Sequence, residues 1–243
     1  MAKKNIEVPG VGTVSVYKRR RAQSIRLSMA RGSLRVTIPH WMPYKTARAF
    51  VESKQSWIRE HTTEKPDIVA GDVIGKGHII VASYKTAQLK PRARIVDDTI
   101  MVTLPFGSQF DHDDIQDLLR HHAEQALRIQ AKRLLPQRLA SLASTYGFEY
   151  GNVSIRKMYS RWGSCTQRKD ISLNMFLMQL DDELIDYVIL HELLHTRILR
   201  HGAVFWNELE NYIPDLSSVR KRMRDQQTYV IPARVYAEKQ TDF

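Results

Sequence analysis

The chain has 243 residues, 43% of them hydrophobic and 26% charged, which excludes a disordered or fibrous protein and leaves a folded, soluble one with ample core. A formal net charge of +11 and a pI near 9.8 imply attraction to polyanions such as nucleic acid, nucleotides or acidic surfaces. No apolar run approaches the length of a bilayer span, the basic start lacks the apolar stretch of a secretory signal, and the single Cys165 excludes an intrachain disulfide, so a cytoplasmic protein with no membrane partner is expected.

The first part reads as strands. "TVSVY", "SIRLSM" and "SLRVTI" alternate or concentrate apolar and β-branched residues, with a turn at Gly32 between the last two. "PYKTARAFVESKQSWIREH" places Ala47, Phe50, Val51, Trp57 and Ile58 near helical spacing behind Pro43, so an antiparallel sheet followed by a helix is predicted. "ARIVDDTIMVTLP" reads as a hairpin turning at Asp97 and Asp98.

From about Asp113 the period changes to that of a long amphipathic helix, which Pro136 is expected to kink or end and Gly147 to stop. Next come a strand in "YGNVSIRKMY", a turn in "SRWGSC" and a strand in "DISLNMF". Asp181 and Asp182 suit the start of a helix running through "ELIDYVILHELLHTRI"; "AVFWNELENYI" and "LSSVRKRMRDQQ" read as two more. The expected organisation is a β-rich portion with one helix over 1–110 and a core over 111–243, forming one compact unit without internal repeats. The basic runs "YKRRR" and "VRKRMR" read first as solvated faces.

The densest chemistry lies in "HELLHTRILRH". His191 and His195, four residues apart, project from neighbouring turns of one helix face, where two imidazoles can reach one ion. Glu192 projects about 100° away, beside that ion rather than at it, which suits a general base. A catalytic zinc takes three protein ligands, and His201 is the best third, since six residues beyond His195 the chain can fold back, with Gly202 easing the turn. The histidine spacing is that of metzincins, but Ile198 stands where they have glycine.

"RWGSC", "ISLNMFLMQLDDELIDYVILHELLH", "HGAVFW" and "YIPD", with the looser "RRRAQSIRLSMARGSLRVTIP" and "FVESKQSWI", together resemble the YgjP-like metallopeptidase domain proteins, relatives of SprT-like and WLM zinc peptidases. The resemblance implies an α+β fold: a zincin-like metallopeptidase core with an N-terminal antiparallel β-rich portion. It implies Zn2+ held by His191, His195 and His201, with Glu192 as base. Thr196, Arg200 and Gly202 depart from the residues expected around the second and third histidines.

In that setting Arg161 and Tyr159, just before Gly163, are candidate donors to a developing oxyanion. Cys165 is either a small buried residue or a fourth ligand that closes the site. Phe205, Leu209 and Tyr212 read as core against the histidine helix, and Asp215 is a candidate hydrogen-bond partner for a ligand histidine. Three functions compete: a zinc metallopeptidase acting on protein or peptide, a metal-dependent nucleotide phosphohydrolase of pyrophosphatase type, and a DNA-associated protease that uses the basic surface. Nucleic acid or nucleotide is accordingly a candidate partner.

Overall fold

The computed structural model describes residues 3–30, 33–55, 58 and 65–235. The turn expected at Gly32 and Trp57 of the first helix lie outside them. Contacts divide the chain into two compact units, Met1–Glu64 and Lys65–Phe243.

In the first unit, strands β1 (Lys3–Val8), β2 (Gly12–Arg19), β3 (Arg26–Ala30) and β4 (Ser33–Pro39) precede helix α1 (Tyr44–Glu52). The sheet order is β1-β2-β4-β3. The sheet is mixed, not antiparallel as expected, because β2 and β4 pair in parallel, with Tyr17 opposite Thr37. After β2 the chain places β3 outermost and returns antiparallel to it, so the inner strand of that pair runs in the same sense as β2. Alternation along β2 and β4 buries Val14, Val16, Val36 and Ile38 in one cluster with Ala47 and Val51 of α1.

The second unit begins with β5 (Val73–Ile74), β6 (His78–Lys85), β7 (Arg92–Val96) and β8 (Thr99–Pro105), in the order β5-β6-β8-β7. Again the outer pairs are antiparallel and the central pair is parallel. The strand arrangement of the first unit thus occurs twice, although the sequence shows no repeat. The turn at Asp97 and Asp98 lies where expected, with Asp97 at φ 50°.

Helix α2 (Asp113–Tyr146) carries Ile115, Leu119, Leu127, Leu135 and Leu139 into the core. It does not end at Pro136. Proline removes one backbone donor, but buried side chains on both sides of it hold the helix to Gly147, whose φ of 67° makes the left-handed cap. Gln116 and Gln130, both buried, tie α2 to the preceding chain. Gln116 binds the backbone N–H and carbonyl of Ile68, and Gln130 donates to Ile74 and accepts from Lys76 N–H.

A three-stranded sheet follows, of β9 (Val153–Arg156), β10 (Gly163–Cys165) and β11 (Ile171–Asn174), in the order β10-β11-β9. Part of the segment expected as a turn, Gly163–Cys165, is therefore an edge strand, antiparallel to β11. A 3-10 turn (Met175–Gln179) leads to α3 (Asp182–Leu194), then α4 (Ala203–Glu210) and α5 (Leu216–Arg224). Leu173, Phe176, Ile189, Leu193 and Phe205 join the α2 side chains in one core. The architecture is mixed α+β. No helix among the described residues is long and apolar enough to cross a membrane.

Candidate metal centre

Helix α3 begins at Asp181, whose carboxylate accepts from Leu184 N–H at 2.9 Å, with Asp182 and Glu183 in the first turn. Its inner side is anchored by Leu184, Ile185, Val188, Ile189 and Leu193, which fixes where the last turn places His191 and Glu192. His195 caps the helix, and the chain turns so that His201, just before α4, returns to the other two histidines. Gly202 does not carry that turn by backbone freedom: its φ is −86° and a β-carbon there would meet nothing within 4 Å.

The three Nε2 atoms form a near-equilateral triangle with edges of 2.9, 3.0 and 3.2 Å. Three nitrogens about 2.0–2.1 Å from one tetrahedral centre would lie about 3.3 Å apart, so the set fits a metal ion within a few tenths of an ångström. Orientation fits as well. His195 Nδ1 donates to the Ile198 carbonyl at 3.0 Å in the tautomer that leaves the Nε2 lone pair facing the triangle. Burial, then the neighbouring His195, His201 and Arg220, lowers the His191 pKa to about 3. Burial, followed by His195 and Arg220, also lowers that of His201. Both rings are therefore neutral at ordinary pH, the form that can donate to a cation.

Phe205 supports all three imidazoles. Its buried ring lies 4.9, 4.7 and 4.8 Å from those of His191, His195 and His201, stacked on the second. Trp206 stacks on His201 at 5.5 Å, and the Arg220 guanidinium covers Trp206 at 3.9 Å. Tyr187 meets His191 edge-on at 5.9 Å. Phe205 reads as core from its spacing, but Trp206, Arg220 and Tyr187 were not singled out. Arg220 lies inside the run read as a solvated face, and only the packing of α5 reveals its neighbours.

Glu192 is 6% exposed, and its Oε2 has no hydrogen-bond partner among the described residues. Burial raises its pKa to about 8, against the opposing charge of Arg161. A buried carboxyl poised near neutrality is suited to take and return a proton. Gly163 of β10 lies directly against it and leaves the room it occupies.

The histidines, Glu192, Arg161, Gly163 and Cys165 line one cavity of about 450 Å³. A neighbouring cavity of about 230 Å³ shares Arg161, Gly163, His191 and Glu192 and adds Trp162, Tyr187, Val188 and Met223. Tyr159 is absent from both linings. Its ring faces the Lys157 ammonium at 5.3 Å, and its carbonyl accepts from Thr228. Asp215 caps α5 by accepting from Ser218 N–H and Ser217, so its carboxylate serves the helix start, not a histidine. Burial, then Glu192 and Asp170, pushes the Cys165 thiol up to about 11, so it is protonated at neutral pH.

Asn174 is fully buried, and its amide donates to the carbonyls of Met158 at 2.7 Å and Arg161 at 2.8 Å. It thereby fastens the segment that brings Arg161 to the cavity. One polar residue in the apolar run "ISLNMF" was the available signal, since a buried amide must be hydrogen-bonded.

Three convergent imidazoles with a buried carboxyl beside them, on one helix of an α+β fold, are the donor set of a metal-dependent hydrolase. The chain belongs to the YgjP-like family, whose metallopeptidase domain matches residues 23–226. Over 65 residues, 25% of the chain, it is 40% identical to the uncharacterized protein MJ0123 of Methanocaldococcus jannaschii, spanning 59% of that protein's length. Two metallopeptidase zymogens of known structure are similar over 37% of the chain. Methanocaldococcus jannaschii jannalysin is matched over 92% of its chain at 28% identity, and Pyrococcus abyssi abylysin over 91% at 22%, each with a TM-score of 0.34.

Proposed function

We propose that the chain is a zinc-dependent metallopeptidase with a zincin-like core, in which His191, His195 and His201 hold the metal and Glu192 is the general base. The observation that carries this reading is the triangle of Nε2 atoms beside a buried carboxyl whose pKa is about 8. Three neutral imidazoles suit Zn2+ better than the harder cations that prefer oxygen. When bound, such an ion supplies a Lewis acid that polarises a carbonyl and makes water acidic near neutral pH.

The protein's own groups do the rest. Glu192 takes the proton of the attacking water and delivers it to the departing amine, a transfer favoured by its proton affinity in the buried site. Arg161, which reaches both cavities, faces charge that develops on the carbonyl oxygen. The edge strand β10 supports a peptide as substrate, because its outer backbone groups are available to an extended chain beside the cavity it lines. The 230 Å³ cavity, floored by Trp162, Tyr187, Val188 and Met223, accommodates an apolar side chain of that peptide.

Elemental analysis of the purified protein beside His195→Ala and Glu192→Gln, followed by a peptide-library cleavage assay, tests the reading. About one zinc per chain is expected in the wild type and in Glu192→Gln, with loss in His195→Ala; cleavage is expected in the wild type alone. Cleavage by metal-loaded Glu192→Gln at the wild-type rate would remove Glu192 from the chemistry. Phosphate or pyrophosphate release from nucleoside triphosphates that His195→Ala abolishes, without peptide cleavage, would replace the peptidase with a phosphohydrolase.

A further inference from the structure

The positive charge of this protein is concentrated in one place. The first 64 residues hold 13 of the 37 lysines and arginines but 4 of the 26 acidic residues, which leaves a net +9 there and +2 in the remainder. Nothing in the chemistry of the histidine site calls for that asymmetry.

The strand register places much of this charge on one sheet face. Val14, Val16, Val36 and Ile38 fill the face that packs with α1. The alternate residues form the other face, where Ser15 is opposite Arg35, Arg35 opposite Ser28, Tyr17 opposite Thr37, and Thr37 opposite Arg26. Arg19 continues the Tyr17 side of β2 and is followed by exposed Arg20 and Arg21. Among the described residues none of these five arginines has an ion pair, and the acid on this face, Glu7, is engaged by Thr13 at its far end.

Arg35 lies flat on Tyr17, its guanidinium 3.9 Å from the ring centre, while its Nε is shut off from solvent without a hydrogen-bond partner among the described residues. A guanidinium fixed over an aromatic ring is a flat cationic platform on which a base can stack. Around it stand hydroxyls and arginines spaced across strands about 4.8 Å apart, able to follow a phosphate backbone. The face carries no apolar side chain to enter a lipid layer, and a duplex hides the base planes that such a platform would use.

We propose that this face of the β1-β2-β4-β3 sheet binds single-stranded nucleic acid, with Arg35 on Tyr17 as the stacking platform and Arg19 and Arg26 as phosphate contacts. The proposal stands apart from the peptidase reading, because binding needs neither the histidines nor Glu192.

The test is fluorescence anisotropy of a labelled 20-nucleotide dT strand with the full chain at several salt concentrations. Comparisons are the Arg19→Gln, Arg26→Gln, Arg35→Gln triple variant and a charge-matched control, Lys90→Gln, Arg92→Gln, Arg94→Gln, at and beside β7 of the second unit. The wild type and the control are expected to bind alike. The triple variant should bind at least about tenfold more weakly, with a log-log salt slope shallower by about 2, since each phosphate contact on a single strand contributes about 0.7. Arg19→Gln with Arg26→Gln, both at exposed positions, gives the same direction should loss of Arg35 unsettle the fold. Absence of binding at low salt, equal weakening in the control, tighter binding to the matching duplex, or preferential binding to phosphatidylserine vesicles would each overturn the proposal.

Discussion

A β-carbon built on Gly163 would stand 2.5 Å from Oε1 of Glu192 and 2.6 Å from its Cγ. The glycine does not owe its place to a left-handed backbone, since it is absent from the residues of positive φ. It is there because the edge strand passes directly against the buried carboxyl. The clash reaches Cγ, so rotation of the carboxylate end alone does not relieve it. Gly163→Ala is expected to displace Glu192 and slow peptide cleavage at least tenfold while zinc content is unchanged. In the Glu192→Gln background the same substitution should add little, because both act through one group. Full additivity of the two effects would mean that Gly163 matters for something other than Glu192.

Asn174 is the corresponding support for Arg161. Replacing it with alanine strands the carbonyls of Met158 and Arg161 and leaves a small void in a fully buried place. A destabilisation of roughly 2–4 kcal/mol is expected, read from urea unfolding. Asn174→Asp should be costly too, since a carboxylate cannot donate to two carbonyls. Tolerance of both changes would show that β10 and β11 alone hold the segment.

Phe205 contacts the three imidazoles without offering them a polar atom, so it acts on the metal through their placement. Phe205→Leu keeps an apolar group in the core but loses the ring faces. It should weaken zinc binding on the order of tenfold in a chelator competition, at modest cost in stability, whereas Phe205→Ala should cost roughly 3–5 kcal/mol. Unchanged zinc affinity in Phe205→Leu would reduce the ring to filler.

Local regularities in the sequence were informative where the structure is itself local. The 3.6-residue period of α3 brings His191 and His195 to one side, and the six-residue step lets His201 return, so the cluster was legible from spacing alone. The hairpin at Asp97 and the stop at Gly147 were legible for the same reason. Sheet order was not, because the parallel contacts of β2 with β4 and β6 with β8 join strands separated by a third, and no local pattern records which strand inserts. Gly163–Cys165 has no apolar alternation, so its pairing with β11 depends on the partner. Arg220 reaches Trp206 only through the docking of α5, and its basic neighbours disguise it.

His78 provides a stability prediction independent of the metal. It opens β6 at 2% exposure, and its Nδ1 accepts from Gln130 at 2.7 Å, leaving Nε2 buried without a partner among the described residues. Burial lowers its pKa below the ordinary 6.5; Asp98 opposes the shift and Arg133 adds to it. Because the unfolded chain binds this proton more readily, the contribution is fully present above about pH 6.5 and is lost as pH falls from there towards the folded value. Denaturation midpoints should therefore drop between pH 7 and pH 5 more steeply for the wild type than for His78→Asn, which does not titrate and keeps a polar group near Gln130. Comparing the two chains cancels the titration of His191 and His201, common to both. Parallel pH profiles would mean that the pocket admits water or opens enough to solvate the charged ring, and that burial of His78 does not contribute to the acid sensitivity of the fold.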